Sequence, residues 1–175
     1  MNIIISNNRT FIQSHRDFNL PDCAIIACTS SMFSPEQYDI YADACKLILP
    51  FDDVEDQKHI NAFTQEQADQ VKKHILKWKH DGIKNIYVCC DSGESRSTAM
   101  AAAIKRFLAG DRIKYKTILS PQEKDIWFNP HYHPNILVYD LMCKAFHMKT
   151  TKLGLFIRRQ TSQNALRKAI RESRG

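Results

Sequence analysis

Four short apolar runs constrain the fold of this chain more than any other feature of its sequence. We predict a strand in each of them, over residues 2–6, 23–28, 45–51 and 85–89. Their apolar residues follow one another without polar alternation, which is typical of strands that are covered on both faces, as in parallel sheets. The pattern therefore predicts a sheet that lies buried between layers of other structure.

Helical patterns lie between and after these runs, and they cover residues 60–79, 97–108, 135–146 and 163–172. The first has apolar residues at helical spacing and ends at Asp81-Gly82, and the second is rich in alanine and ends at Gly110. The third begins after Pro134. Because strands and helices alternate, the sequence predicts an α/β fold with a central, mostly parallel sheet flanked by helices.

The segment over residues 88–99, V-C-C-D-S-G-E-S-R-S-T-A, carries the main chemical information. It contains Cys90 and, after five residues, Arg96, and it joins a predicted strand to a predicted helix. In such a unit the loop amides turn inward as an anion nest, and the helix directs its positive dipole end into the same space. We therefore predict a phosphate site formed by Asp91, Ser92, Gly93, Glu94, Ser95 and Arg96.

Four side chains or backbone positions of this segment suit nucleophilic chemistry on a phosphate. The field of the loop and helix stabilises the thiolate of Cys90, which is the reactive form of a cysteine. Arg96 offers a planar fork that matches two phosphate oxygens, which a lysine does not. Gly93 adopts backbone conformations that are costly for other residues. Ser97 is placed to donate a hydrogen bond to the sulfur and to help it leave.

Residues 90–97, C-D-S-G-E-S-R-S, resemble the signature loop of the dual-specificity-type protein tyrosine phosphatases. Members of that family place an aspartate general acid in a loop after a strand, and L-P-F-D-D at residues 49–53 looks similar. They also often open a late helix with Pro-Asn, as Pro134-Asn135 does here. The resemblance spans residues 45–146 and implies a phosphatase-type signature loop between a strand and a helix.

The resemblance also implies roles for individual residues. It makes Cys90, Arg96, Asp53 and Ser97 catalytic, with Asp52 and Asn135 in support. A phosphate monoester needs its leaving oxygen protonated as the P–O bond breaks. The carboxylates positioned to do this are Asp52, Asp53, Glu55 and Asp56. Asp53 matches the family spacing best, and Asp52 is the next candidate.

Cys89 departs from the family pattern, which typically has a histidine just before the nucleophile. We interpret Cys89 as a packed strand residue; the alternative is a thiol that forms a disulfide with Cys90. The six cysteines are irregularly spaced and contain no C-x-x-C pair, which disfavours a disulfide framework or a structural zinc site. We expect no metal and no cofactor. The sequence also shows no leader peptide and no membrane-spanning stretch, so we expect a soluble, reduced, cytoplasmic protein.

The net charge of +6 is concentrated at the C-terminus. Residues 148–175 contain eight basic residues and one acid, a charge of +7, which leaves −1 for residues 1–147. We predict a phosphatase-like catalytic domain over residues 1–147 and a basic, helical C-terminal extension over residues 148–175. A basic extension is able to bind nucleic acid or another anionic surface, but a solvated helix face is the more common reason for such a pattern.

These observations predict a phosphatase that hydrolyses phosphate monoesters in phosphorylated proteins or peptides. Phosphotyrosine is the expected substrate, with phosphoserine and phosphothreonine as further candidates. Asp91 and Glu94 in the loop disfavour a highly anionic lipid headgroup. The alternatives are a catalytically weak module that binds phosphorylated partners, an RNA 5′-phosphatase, and a sulfurtransferase or arsenate reductase with a similar loop. The last pair is disfavoured by Ser97, by the upstream acidic loop and by the mid-chain position of the motif.

Overall fold

The computed structural model describes residues 1–15, 22–30, 35–42, 45–110, 119 and 121–173. Within them, four strands form one sheet: β1 (Asn2–Asn7), β2 (Cys23–Thr29), β3 (Lys46–Pro50) and β4 (Asn85–Cys90). The strand order is β1-β4-β2-β3, and each pair of neighbours is parallel. The predicted α/β class with a parallel sheet is therefore confirmed.

The described residues also form six α-helices: α1 (Asn8–Ser14), α2 (Gln65–His80), α3 (Arg96–Leu108), α4 (Lys124–Trp127), α5 (Ile136–Ala145) and α6 (Lys152–Glu172). Helices α2, α3 and α5 pack on one face of the sheet, where Trp78, Met100 and Tyr139 are buried. Helix α1 covers the other face, where Phe11 packs with Tyr38. Every residue of β2 is buried, because helical layers cover the sheet on both sides.

Helix α2 begins later than its apolar spacing predicts. The Thr64 side chain accepts a hydrogen bond from the Gln67 N–H at 3.2 Å, and the Gln67 side chain accepts one from the Thr64 N–H at 3.0 Å. This capping box ends the preceding loop at Thr64. Ile60 is 92% exposed in that loop, whereas Phe63 is buried against the core. The helical spacing of these two residues was therefore coincidental.

Helix α6 extends well beyond the predicted residues 163–172, because it already begins at Lys152. Thr151 caps it with its side-chain oxygen. Arg158 and Ser162 are buried against the rest of the protein. No helix among the described residues is long and apolar enough to cross a lipid bilayer.

The basic residues of α6 have different surroundings, although all belong to the segment 148–175. Arg158 is buried, and Arg159 forms an ion pair with Glu55. Lys168 is exposed and lies 3.8 Å from a carboxylate oxygen near the end of the same helix. The last two residues of the segment lie outside the described part of the chain. Helix α6 therefore packs on the protein through one face and presents only part of its positive charge to solvent.

The carboxyl ends of the four strands meet at one edge of the sheet, because all neighbouring pairs are parallel. Polar groups follow or end the strands at this edge: Asn8 after β1, Ser30 after β2, Asp52 and Asp53 after β3, and Cys90 at the end of β4. In open α/β sheets, ligands bind in the crevice outside these carboxyl ends. The fold thus brings chemically useful residues from distant parts of the chain to one place.

Candidate active site

Residues 91–95 form the loop between β4 and α3, and we call this segment the signature loop. Gly93 in this loop has a φ of +78°, which favours glycine. A Cβ atom at this position would also lie 3.0 Å from the Asn7 nitrogen and 3.2 Å from the Ser6 carbonyl oxygen. The loop therefore needs glycine both for its turn and for its close approach to the end of β1.

Cys90 is buried at the end of β4, on the sheet face that packs against α3. Its sulfur accepts a hydrogen bond from the Gly93 N–H at 3.2 Å, and the Ser97 hydroxyl oxygen lies 3.1 Å from it. Both groups are able to donate to a thiolate. Helix α3 begins at Arg96, so the positive end of its dipole also lies near the sulfur. The arrangement suits a sulfur that carries negative charge.

Arg96 is buried beside the signature loop, and both of its terminal nitrogens have acceptors. Nη2 donates to the Asp91 carboxylate at 2.6 Å, and Nη1 donates to the Phe51 carbonyl at 2.7 Å. Its guanidinium carbon also lies 5.7 Å from the centre of the Phe51 ring. Burial by itself lowers the pKa of Arg96, but the hydrogen bond and charge of Asp91, together with the nearby Cys28 and Cys90, outweigh it, so that the net pKa shift is upward.

The Nε of Arg96 is different, because it is buried and has no hydrogen-bond partner among the described residues. A buried donor without an acceptor is costly unless a ligand or water satisfies it. An arginine binds phosphate through pairs of neighbouring N–H groups. Each terminal nitrogen carries a second N–H besides the one used in these contacts, so Arg96 is able to offer Nε–H and a neighbouring Nη N–H to an anion in the signature loop.

Asp53 lies against the signature loop, after β3. Its Oδ1 accepts hydrogen bonds from the Ser95 hydroxyl and from the Asn135 side-chain nitrogen, each at 2.8 Å. Its Oδ2 has no hydrogen-bond partner among the described residues. Asn135 is itself buried, and its side-chain oxygen caps α5 by accepting from the Val138 N–H at 3.0 Å. The structure thus brings Asp53, Asn135 and the loop together, and Asp53 keeps one oxygen for chemistry.

Asp52 is placed differently from its neighbour. Its carboxylate accepts from the Asn61 side chain at 3.1 Å, and its N–H donates to the Asn61 carbonyl at 2.8 Å. These contacts stay within the loop before α2 and do not reach the signature loop. Glu55, a third candidate acid, accepts from the N–H of Ile136 at the start of α5 and pairs with Arg159. Of these three carboxylates, only Asp53 contacts the signature loop.

The other predicted phosphate-binding residues, Ser92, Glu94 and Ser95, form the remainder of the signature loop. Ser92 and Glu94 are exposed, and the Ser92 hydroxyl accepts from the Glu94 N–H at 3.3 Å. The Glu94 carbonyl accepts from the His133 N–H at 2.9 Å. The Ser95 carbonyl accepts from the Asn135 N–H at 3.3 Å. The segment before α5 therefore supports the signature loop through its backbone.

Two further cysteines lie near Cys90, on different faces of the sheet. Cys89 is buried on the opposite face, in the cluster that contains Phe11. Cys28 on β2 is buried on the same face as Cys90. Burial is the largest cause of an upward pKa shift in both thiols, and the nearby Cys90 adds to it. Among the residues described, no group of three or more histidine, cysteine or acidic side chains is arranged to hold a metal ion.

Sequence reasoning did not identify Asn8, Ser30 and Tyr38, which lie behind the signature loop. Asn8 and Ser30 donate to the Asp91 carboxylate, and the Tyr38 hydroxyl donates to Asn8. Asn8 and Ser30 each follow a predicted strand, so the rule that parallel strands end at one edge was a usable signal. Tyr38 had no such signal, because it lies in a short 3-10 turn between β2 and β3.

No family model matches the sequence, and no curated protein matches it. A solved structure of PTPMT1 in complex with PI(5)P is 15% identical, with 96% of this chain and 94% of that chain covered and a TM-score of 0.41. A second structure of PTPMT1 is also 15% identical, with coverage of 97% and 95% and the same TM-score of 0.41. These values are too low to carry an argument about function, so the proposal below rests on the geometry of the site.

Proposed function

We propose that this protein is a cysteine-dependent phosphatase that hydrolyses phosphate monoesters, with phosphotyrosine in proteins or peptides as the expected substrate. The observation that carries the proposal is the environment of the Cys90 sulfur. It receives the Gly93 N–H at 3.2 Å and lies 3.1 Å from the Ser97 hydroxyl, at the start of α3. Few protein functions need a sulfur held as an anion within an anion-binding loop, and nucleophilic attack on a phosphate is one of them.

The first step transfers the phosphoryl group to the protein. Arg96 Nε and the loop amides bind the phosphoryl oxygens, and the Cys90 thiolate attacks phosphorus in line with the leaving oxygen. The S–P bond forms as the P–O bond breaks, and the electron pair of that bond goes to the leaving oxygen. The free Oδ2 of Asp53 supplies the proton that this oxygen needs.

The second step releases inorganic phosphate. A water oxygen attacks phosphorus while Asp53, now a carboxylate, accepts the proton of that water. The S–P bond breaks, and its electron pair returns to Cys90 as a thiolate. The Ser97 hydroxyl, 3.1 Å from the sulfur, stabilises this departing thiolate by hydrogen bonding. The site is then ready for another substrate.

A module that binds phosphorylated partners with weak activity is the second candidate. The observation in its favour is that Asp91 and the Phe51 carbonyl each accept one N–H from the terminal nitrogens of Arg96. A transition state that needs those same N–H groups would be bound incompletely. Tight binding of a phosphopeptide without measurable turnover would support this candidate.

The deciding experiment measures hydrolysis of para-nitrophenyl phosphate with EDTA and a reductant present. We expect Cys90→Ser to abolish turnover and Asp53→Asn to reduce it by about 10²- to 10⁴-fold, the usual contribution of a general acid. Cys89→Ser is the matched control, because it removes a neighbouring thiol on the other face of the sheet. Turnover that survives Cys90→Ser would overturn the proposal. Rapid quenching followed by mass spectrometry should find the phosphoryl group on Cys90.

A further inference from the structure

Asp91 directly follows the nucleophile, and groups from three elements hold its carboxylate. Its Oδ2 accepts hydrogen bonds from Arg96 Nη2 and from the Ser30 hydroxyl, each at 2.6 Å. Its Oδ1 accepts from the Asn8 side-chain nitrogen at 3.0 Å. Ser30 follows β2 and Asn8 follows β1, and these are the two strands that flank β4. The carboxylate is therefore tied to both neighbours of the strand that carries Cys90.

The contacts of Asp91 continue into the core through Asn8. Asn8 is fully buried, and its side-chain oxygen accepts from the Tyr38 hydroxyl at 2.7 Å. Its side-chain nitrogen also donates to the Cys28 carbonyl at 3.4 Å. A buried amide with partners on both its oxygen and its nitrogen has one favoured orientation. The nitrogen of Asn8 is therefore directed at Asp91 by contacts that lie outside the signature loop.

We propose that Asp91 is a positioning residue of the phosphate site, which holds the Arg96 guanidinium so that Nε is directed at a phosphoryl oxygen. The inference rests on the proposed function, because it assigns a role within the same site. Asp91 holds Nη2 and the Phe51 carbonyl holds Nη1, so the guanidinium has two fixed points. Its Nε is buried and has no hydrogen-bond partner in the part of the chain that the structure describes.

Fixing the guanidinium in advance favours binding for an entropic reason. A free arginine side chain loses rotamer freedom when it binds a ligand, and this loss weakens the affinity. Asp91 and the Phe51 carbonyl order Arg96 before the phosphate arrives. Removing Asp91 leaves Arg96 with one fixed point, so its N–H groups no longer meet the phosphate oxygens in one geometry. The expected consequence is weaker phosphate binding in a protein that still folds.

Isothermal titration with inorganic phosphate tests this role without depending on turnover. Displacement of a binding group by about 1 Å costs up to 10²-fold, so we expect Asp91→Ala to weaken phosphate binding about 10- to 100-fold. Asp91→Asn keeps an oxygen that accepts from Arg96, and we expect it to retain most of the affinity. Asp125→Ala is the matched control, because it breaks an exposed ion pair with Lys105 away from the loop.

Two results of the titration would overturn the proposal. If Asp91→Ala binds phosphate as tightly as the wild type or more tightly, the carboxylate competes with phosphate for Arg96 instead of positioning it. If Asp91→Asn is as weak as Asp91→Ala, the charge of Asp91 matters and its acceptor oxygen does not. Ser30→Ala, which removes one donor to Asp91, provides a milder variant and should weaken binding by roughly three- to tenfold.

The side-chain Nε–H resonance of Arg96 gives a readout that a purely structural role would not change. In the wild type, we expect this resonance to be sharp and to shift when phosphate binds. In Asp91→Ala it should broaden through exchange among orientations, and an unchanged resonance contradicts the inference. The two proposals fail separately: turnover that survives Cys90→Ser removes the phosphatase function, whereas the phosphate affinities and the Nε–H resonance decide the role of Asp91.

Discussion

Two arginines of this protein have similar contacts and different surroundings. The Arg96 side chain is 5% exposed and lies 2.6 Å from the Asp91 carboxylate. The Arg158 side chain is also 5% exposed and lies 2.5 Å from the Glu123 carboxylate. In both residues the Nε is buried and finds no hydrogen-bond partner within the described ranges of the chain. Burial, an ion pair and an unpaired donor therefore do not by themselves distinguish a ligand-binding arginine from a structural one.

The two ion pairs differ in the groups that surround them. The guanidinium of Arg158 lies 4.8 Å from the centre of the Tyr139 ring and 5.9 Å from that of Trp127, which stabilise it by cation–π contact. Glu123 is fully buried and also accepts from the Tyr139 hydroxyl at 2.6 Å and from the Trp127 ring nitrogen at 3.2 Å. The Arg158–Glu123 pair is enclosed by protein and inaccessible to ligands. It holds α6 against α4 and α5.

The ion pair of Arg96 and Asp91 is accessible to solvent on the side of the Asp91 carboxylate. The Asp91 side chain is 26% exposed, and it lies in a loop beside the Cys90 sulfur. A ligand is able to approach Arg96 through this loop, whereas the Glu123 side chain has no solvent-exposed surface. The comparison teaches that the accessibility of the partner carboxylate, together with a neighbouring nucleophile, marks the arginine that is used in chemistry.

The largest effect is expected from breaking the closed pair. Glu123→Ala leaves the Arg158 guanidinium buried without its counter-ion, and loss of one member of a buried pair typically costs about 3–5 kcal/mol of unfolding free energy. Urea denaturation measures this loss. Glu172→Ala, at an exposed pair near the end of α6, is the control and should change stability little. A double replacement, Glu123→Leu with Arg158→Met, should recover much of the loss; no recovery would mean that the pair itself stabilises the fold.

Thiol reactivity is expected to differ between Cys90 in the signature-loop site and Cys143 near the Arg158 pair. Cys143 lies near Arg106 and Arg158, yet burial outweighs these cations and raises its pKa to about 12. Its thiol is thus protonated below that pH, and at pH 8 only about one molecule in 10⁴ is ionised. We expect iodoacetamide to modify Cys90 in the folded protein and to leave Cys143 unmodified, as peptide mass mapping would show. Equal rates of modification would contradict the contrast between the two sites.

Replacing each arginine by lysine tests the comparison, because one variant should lose activity and the other should lose stability. Lysine lacks the planar fork, so Arg96→Lys should lower kcat/KM by about 10²- to 10³-fold, as the loss of one essential donor does elsewhere. Its unfolding free energy should change less than that of Arg158→Lys, which loses the fit between two rings and a carboxylate. Arg158→Lys should retain kcat/KM at a temperature where it is folded. If both variants lose activity and stability in parallel, the proposed division of roles is wrong.

Much of the fold followed from local patterns. The continuous apolar runs predicted all four strands, with bounds close to those observed, because burial on both faces removes polar residues from a strand. The start of α6 was missed, since residues 152–162 mix apolar and basic side chains, and Arg158 is buried only because Glu123, Tyr139 and Trp127 surround it. Helix α1 was missed because it follows β1 without an intervening loop.

The strand–loop–helix unit around Cys90 could be predicted from the sequence, because its interactions are local. Cys90, Gly93, Arg96 and Ser97 lie within eight consecutive positions, so the end of one strand and the start of one helix suffice to bring them together. Their spacing predicted that Ser97 would lie within hydrogen-bond reach of the sulfur, whereas the bond from the Gly93 N–H to the sulfur was found only in the structure.

The distant groups that meet this unit are set by the tertiary fold and could not be predicted from the local sequence. Asn8 and Ser30 contact Asp91 across 83 and 61 residues of the chain, and the Phe51 carbonyl reaches Arg96 across 45. These contacts depend on the strand order β1-β4-β2-β3, which places the ends of β1 and β2 on either side of β4. That order follows from packing the helices on both faces of the whole sheet, and no short segment of the sequence encodes it.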